Sequence, residues 1–169
     1  QELLATLSQP RTHEYNLRFD TPERELTRSI RVLRLRKDNT NRMTYKGPGV
    51  MLAGIRHRQE IEFEVSDFEN AQALLEALGY EVSMIYEKYR AVYDLGGTHV
   101  MLDEMPFGDF VEIEGPDSAQ IQAVCRQLNL SWAARINDSY GALFEVAQHN
   151  LGISIPALTF VDFSSIAVS

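Results

Sequence analysis

In the stretch Glu60-Ile61-Glu62-Phe63-Glu64, carboxylates and apolar side chains alternate without interruption. Successive side chains of a β-strand point to opposite faces, so this stretch predicts a strand with charge on one face and packing surface on the other. The same alternation recurs elsewhere with either sign of charge: Arg34-Leu35-Arg36, Lys88-Tyr89-Arg90 and Glu112-Ile113-Glu114. Several such strands together indicate a charged interior or groove that holds a highly charged ligand.

A solvated sheet face is the first alternative for each of these strands taken alone, because charge runs usually face water. Antiparallel neighbours bring the faces of successive strands together, so repetition with opposite signs favours one shared cavity. Internal salt bridges without a ligand are a second alternative. Buried ion pairs stabilise a fold only weakly, which makes a core built from many of them unusual.

Composition limits the possible partners. The 169 residues, of which 44% are hydrophobic, suit one domain with a substantial core. The formal net charge of -8 disfavours binding to nucleic acid or to anionic membranes through the overall field. No run of about 18 apolar residues indicates a membrane span, and no basic segment precedes an apolar signal segment. The single Cys125 fits a reducing compartment as a buried, inert thiol, so we expect a cytoplasmic protein.

Strand-like segments are dense, and short turns join most of them, which favours antiparallel pairing. The predicted strands are 13–20, 29–37, 42–46, 58–65, 84–95, 99–105 and 110–115. Three helical patterns interrupt them. The first is capped at Ser66 or Asp67 and stops at Gly79, the second opens at Asp117 or Ser118, and the third covers 139–151. We also predict a closing strand over 157–163.

The two signs of charge call for two kinds of ligand atom. Clustered arginines and lysines suit phosphate oxygens, because arginine gives bidentate hydrogen bonds and lysine a compact charge. Clustered carboxylates would repel the same anion unless a divalent cation lies between them, and Mg²⁺ and Mn²⁺ take such oxygen ligands. A basic and an acidic set in one cavity therefore predict a phosphate chain beside a metal ion.

The motifs resemble those of the CYTH family, the class IV adenylyl cyclase and thiamine triphosphatase group, also called triphosphate tunnel metalloenzymes. The resemblance covers about residues 15 to 145 and is specific as an ordered set. The matching stretches are Phe19-Asp20-Thr21, Leu33-Arg34-Leu35-Arg36, Thr44-Tyr45-Lys46-Gly47-Pro48, 58–64, Glu87-Lys88-Tyr89-Arg90, Leu102-Asp103, 108–114 and Ser139-Tyr140.

The resemblance implies an α+β fold: an antiparallel β-barrel of about eight strands that forms a charged tunnel, with helices packed outside. The substrate-binding residues that it implies are Arg34, Arg36, Lys46, Arg58, Lys88 and Arg90. Among these, Lys88 is also the candidate catalytic residue, as a base that orients water. The implied metal ligands are Asp103, Glu112 and Glu114, with Glu60 and Glu62 as a middle acidic pair, and the implied cofactor is Mg²⁺ or Mn²⁺.

One departure from the family pattern concerns the start of the chain. Family members begin with an ExExK strand, and no such motif occurs before Leu3. The stretch 2–7 has apolar residues at helical spacing and predicts the tail of a helix that ends at 8–10. We therefore expect residues 1–169 to form a single CYTH-like domain that lacks its first strand, with a broken tunnel as the alternative.

Hydrolysis of a triphosphate is the leading functional expectation, with inorganic, thiamine or nucleoside triphosphate as the substrate. One alternative is class IV adenylyl cyclase activity, which makes cyclic AMP from ATP. Another is a protein that binds polyphosphate or nucleotide without turnover. The expected partner is a small molecule that contains a triphosphate, with neither nucleic acid nor membrane, and a homodimer stays open.

Overall fold

The computed structural model describes residues 5–151 and 157–164, which form nine strands, five α-helices and one 3-10 helix. The strands are β1 Thr6–Asp20, β2 Val32–Lys37, β3 Asn41–Lys46, β4 Val50–Leu52, β5 Ile55–His57, β6 Glu60–Val65, β7 Glu81–Leu95, β8 Thr98–Met105 and β9 Gly108–Glu114. The helices are α1 Glu25–Arg28, α2 Phe68–Ala77, α3 Ser118–Gln127, α4 Tyr140–Leu151 and α5 Phe160–Ser164, and the 3-10 helix is Trp132–Ala134.

Seven of the strands form one antiparallel sheet in the order β6-β3-β2-β1-β7-β8-β9. A flat sheet of this size would separate its edge strands by about 29 Å, since neighbouring strands lie about 4.8 Å apart. Glu62 on β6 and Glu114 on β9 nevertheless line the same cavity. The sheet therefore curls around that cavity, and the antiparallel α+β fold expected from the sequence is confirmed.

The strand register places the alternating charges on the inner face of the curled sheet. Directly paired residues of antiparallel strands share a face. Glu62 pairs with Thr44, which pairs with Arg34. On the other side of β1, Arg90 of β7 pairs with Asp103 of β8.

Apolar residues between these charges form a core on the outer face. Leu17 and Phe19 of β1 and Leu35 of β2 are almost fully buried against Phe68 and Leu75 of α2. Helix α2 begins where the sequence predicts, because the Asp67 carboxylate accepts a hydrogen bond from the backbone N–H of Asn70. Strands β1 and β2 are thereby anchored from outside, whereas Ile61 and Phe63 of β6 are about half exposed, so the packing surface predicted for that strand is not found.

A second apolar cluster closes one end of the inner face. Phe144 of α4 is buried with Tyr86 of β7, Met105 of β8 and Leu158. The predicted closing strand over 157–163 is wrong except at one residue, since Leu158 makes an isolated bridge to Tyr86 and α5 follows. The predicted third helix is confirmed as α4.

A two-stranded hairpin, β4–β5, lies in the connection between β3 and β6. Ala53 and Gly54 both have positive φ at its tip, the backbone that a tight two-residue hairpin turn requires. Arg135 donates a hydrogen bond to the Gly54 carbonyl, and Ser118 donates one to the Ala53 carbonyl. The hairpin thus leaves the sheet beside β6 and reaches the elements that follow β9.

The predicted helix tail over 2–7 is wrong where the structure describes it, because β1 already begins at Thr6. Thr6 pairs with Asp94, so backbone pairing with β7 overrides the helical spacing of the apolar side chains. The register shifts on either side of Gln9 accommodate Pro10, which has no N–H to donate. Residues 1–4 lie outside the described part of the chain.

Candidate functional site

Asp103 is the centre of the ionic network on β7, β8 and β9. Its side chain is fully buried and accepts hydrogen bonds from Lys88 at 2.9 Å and from two nitrogens of Arg90. Burial raises the pKa of a carboxyl group, but the Arg90 hydrogen bonds and the charges of Lys88 and Arg90 outweigh it, so the pKa of Asp103 lies below its usual value. Asp103 therefore holds two of the predicted phosphate-binding cations in place.

Arg90 joins this centre to the next strand, because its Nη2 atom donates to Asp103 and also to Glu112 Oε2 at 2.5 Å. Burial lowers the pKa of a guanidinium, yet the hydrogen bond to Asp103 and the charge of Glu112 raise the pKa of Arg90 above its usual value. Glu114, two residues beyond Glu112, lines the same cavity as Arg90. Asp103 and Glu112 thus share one guanidinium, while Glu114 faces the same cavity.

Glu62 is the corresponding centre on the other half of the sheet. Its Oε2 atom accepts a hydrogen bond of 2.8 Å from Thr44 and lies 3.4 Å from Arg34 Nη2, while Oε1 lies 3.6 Å from Arg36 Nη2. Burial raises the pKa of Glu62, but the Thr44 hydrogen bond and the arginine charges lower it by more. The net pKa shift of Glu62 is therefore downward. Arg34 and Arg36 are both buried, which places two predicted phosphate contacts beneath the cavity surface.

Lys46 and Glu60 form a third pair near the end of β3 and β6, with their charged atoms 3.0 Å apart. Burial and the nearby Arg34 charge lower the pKa of Lys46, and Glu60 opposes this only in part. Positive charge is therefore in excess here, which suits an anion. Arg58 lies outside β6, in the short connection from the hairpin, and its side chain is more exposed than the sequence pattern suggests.

Two inner-face residues were not singled out from the sequence. Glu14 of β1 is almost fully buried between Arg36 and Lys88, and Arg42 of β3 lies 3.8 Å from Glu62. Both line the cavity. The sequence contains a signal for both: Glu14, Asn16 and Arg18 alternate with Tyr15, Leu17 and Phe19 on a predicted strand, and Arg42 precedes Lys46 by an even number of residues.

Tyr140 is a third residue of the site for which the sequence pattern indicates no role. Its hydroxyl donates a hydrogen bond of 2.7 Å to Asp103, and the Lys88 ammonium lies 5.4 Å from the centre of its ring. Burial, followed by the negative charges of Glu112 and Asp103, raises the pKa of Tyr140. The phenol therefore stays protonated and links the first residue of α4 to the ionic network.

The cavity has a volume of about 420 Å³ and is lined by both signs of charge, including Glu14, Arg36, Arg42, Glu62, Arg90 and Glu114. Its carboxylates supply the oxygen atoms that Mg²⁺ and Mn²⁺ prefer. Asp103 and Glu112 converge on one nitrogen of Arg90, so the guanidinium occupies the space between these two carboxylates. Within residues 5–151 and 157–164, no three acidic, histidine or cysteine side chains stand together as a ready metal site.

The CYTH domain model matches residues 3–137, which is most of the chain and includes every predicted site residue. The chain belongs to the CYTH family. The expectation drawn from the ordered motifs is therefore confirmed for the family. The CYTH match ends just before α4, so Tyr140 lies beyond it.

Individual CYTH relatives agree with this assignment. The chain is 30% identical over 140 residues to the adenylate cyclase CyaB of Aeromonas hydrophila, an alignment that covers 75% of this chain and 70% of that protein. A proposed adenylate cyclase from Vibrio parahaemolyticus has a similar structure, with a TM-score of 0.73, 26% identity and coverage of 85% and 86% of the two chains.

A more distant structure shows the same fold. It is a Hippeastrum protein, described as a proposed adenylyl cyclase with a dominant triphosphatase activity. The TM-score is 0.63 at 21% identity, and the match covers 88% of this chain and 86% of that one. None of the helices in the described part of this chain is long and apolar enough to cross a membrane.

Proposed function

We propose that this protein is a divalent-metal-dependent triphosphatase. The observation that carries the proposal is the convergence of buried cations from β2 and β7 on the inner face of one curled sheet. Arg34, Arg36 and Lys88 are each more than nine-tenths buried. Burying a charge without a complete set of partners is costly. The Nε atom of Arg34 has no hydrogen-bond partner among the described residues, while the Nε atom of Arg36 lies 3.1 Å from the Asp38 carboxylate.

Each basic residue has a distinct task in this proposal. Arg34 and Arg36 bind phosphate oxygens from β2, and Lys46 and Arg58 bind them at the end of the cavity where the hairpin departs. Arg90 turns from the carboxylates towards the phosphate chain and stabilises the charge that develops on the transferred phosphoryl group. Lys88 donates hydrogen bonds, since an ammonium between Asp103 and Glu14 suits a phosphate contact better than proton abstraction.

The acidic residues are assigned to the cation and to the bases. Asp103, Glu112 and Glu114 would hold Mg²⁺ or Mn²⁺, and Glu60 and Glu62 would hold a second cation or orient Lys46 and the β2 arginines. When bound, the metal ion would neutralise phosphate oxygens and lower the barrier for attack by water. Carboxylates that pair with Arg90 in the free protein keep the cavity charges balanced until the substrate arrives.

Phosphate release from tripolyphosphate, thiamine triphosphate and ATP tests the proposal. We expect the full chain to release orthophosphate from at least one of them with Mg²⁺ or Mn²⁺, and to lose this activity with EDTA. The matched control is Arg11→Ala, which removes a cation whose partner is exposed Glu104, and we expect it to keep the activity. Absence of turnover with every substrate and both metals would refute the proposal.

Adenylyl cyclase activity is the second candidate, because the Aeromonas and Vibrio relatives carry that name. In that reaction the ribose 3′-hydroxyl of ATP attacks the α-phosphorus and pyrophosphate leaves. The same incubation with ATP separates the two reactions. Cyclic AMP with an equal amount of pyrophosphate would favour the cyclase, whereas orthophosphate with ADP would favour the triphosphatase.

A further inference from the structure

Glu14 lies on β1, the central strand of the sheet, with cationic residues on the strands at either side. Its Oε1 atom is 3.6 Å from Arg36 Nη1 of β2, and its Oε2 atom is 3.6 Å from Lys88 Nζ of β7. Glu14 pairs directly with Lys88 in the strand register. The carboxylate thus stands between two predicted phosphate contacts that come from different strands.

The contact between Glu14 and Lys88 is longer than the one that Lys88 makes with Asp103. Lys88 lies 2.9 Å from Asp103, within hydrogen-bond distance, whereas 3.6 Å from Glu14 is too long for a hydrogen bond. Glu14 therefore attracts both cations through charge without occupying their N–H groups. Those donors stay available to a phosphate chain.

Burial makes this arrangement costly for the fold. Glu14 is 1% exposed, and its Oε2 atom has no hydrogen-bond partner among the described residues. Asn16, two residues further on the same face of β1, is also buried and leaves both side-chain polar atoms without a partner in the described chain. An unsatisfied buried polar group destabilises a fold, so the inner face of β1 is not optimised for stability in the free protein.

We propose that Glu14 is a positioning residue for triphosphate turnover, which rests on the function proposed above. Arg36 and Lys88 repel each other across β1, and the Glu14 charge between them holds each cation 3.6 Å from its carboxylate. The triphosphate then meets two cations that are already in place. Without Glu14, the cations still attract the anion, but their side chains separate and no longer match its phosphate spacing.

The variant Glu14→Gln tests this role, because it keeps the shape and removes the charge. We expect kcat for tripolyphosphate or the best substrate to fall at least about 10-fold per folded molecule, as for a mispositioned catalytic contact. KM should stay within about threefold or decrease, since a negative charge has left an anion site. Glu14→Asp keeps the charge and should recover part of the lost kcat with a KM near that of the wild type.

The matched control is Glu104→Gln, which removes one negative charge from an exposed outer-face pair with Arg11. It should change neither constant.

An unchanged kcat in Glu14→Gln, with or without a lower KM, would overturn the positioning role, as would equal losses of kcat in the Gln and Asp variants. If Glu14→Gln does not fold, the Glu14→Asp variant alone tests the role of the charge. A folded Glu14→Asp variant with less than a tenth of the wild-type kcat would then count against that role. Turnover absent already in the wild type would refute the proposed function itself, which no variant result can mimic.

Discussion

Arg90→Ala is expected to lower kcat/KM for the triphosphate substrate about 100-fold to 1,000-fold. Arg90 is the one guanidinium that donates to both Asp103 and Glu112 in the described residues, and in the proposed function it turns to the phosphate chain. Loss of a preorganised donor to developing charge costs about this factor in other enzymes. Steady-state phosphate release measures the effect, and a folded variant is confirmed by its unfolding transition.

Two further variants show whether the loss belongs to the site. Arg90→Lys keeps the charge without the bidentate geometry, so it should recover only part of the activity. Arg11→Ala removes an arginine that also pairs with a β8 carboxylate, Glu104, but outside the cavity, and it should keep full activity. Equal kcat/KM values for Arg90→Ala and Arg11→Ala would contradict the placement of Arg90 in the site.

Asp103→Asn is expected to lower the free energy of unfolding by about 3 kcal/mol at pH 7, measured by urea denaturation. The fully buried carboxylate accepts from Lys88, Arg90 and Tyr140, and removing one partner of a buried ion pair leaves uncompensated charge. Asp94→Asn is the matched control, because Asp94 makes an exposed pair with His99. Exposed pairs contribute about 0–1 kcal/mol, so its effect should be small.

The pH dependence of this difference has a definite sign. The pKa of Asp103 is lower in the folded protein than its usual value, so the folded state binds this proton less readily than the unfolded state. Its stabilisation is complete above the unfolded pKa of about 3.9 and is lost as pH falls through the lower folded value. The gap between wild type and Asp103→Asn should therefore stay constant from pH 7 to pH 5 and shrink below about pH 4. A gap that widens on acidification would contradict the ionised, paired state of Asp103.

Alternation of charge was sufficient to predict the inner face. Arg34 and Arg36, like Lys88 and Arg90, are separated by one apolar residue, and strand geometry alone then puts each pair on one side. The register could not be predicted in the same way, because it depends on which strands become neighbours. The pairing of Arg90 with Asp103 became visible only in the structure.

Two parts of the fold depend on long-range contacts that local patterns do not contain. The strand at Thr6 forms because β7 is long enough to pair with it, although its own apolar spacing is helical. The β4–β5 hairpin is fixed from outside by Arg135 and Ser118, which lie more than 60 residues further along the chain. For Glu14, strand alternation predicts the face on which the carboxylate lies, but its position between Arg36 and Lys88 depends on the strand order.

Calorimetric titration of the full chain with tripolyphosphate, without metal, tests most directly whether the inner face binds a triphosphate. We expect one tripolyphosphate per chain, weaker binding of orthophosphate, and at least about 10-fold weaker binding of tripolyphosphate by Arg36→Ala, because the largely buried Arg36 guanidinium lines the cavity. Arg11→Ala should bind as the wild type does. No binding by the wild type, or equal affinities of Arg36→Ala and Arg11→Ala, would contradict the account.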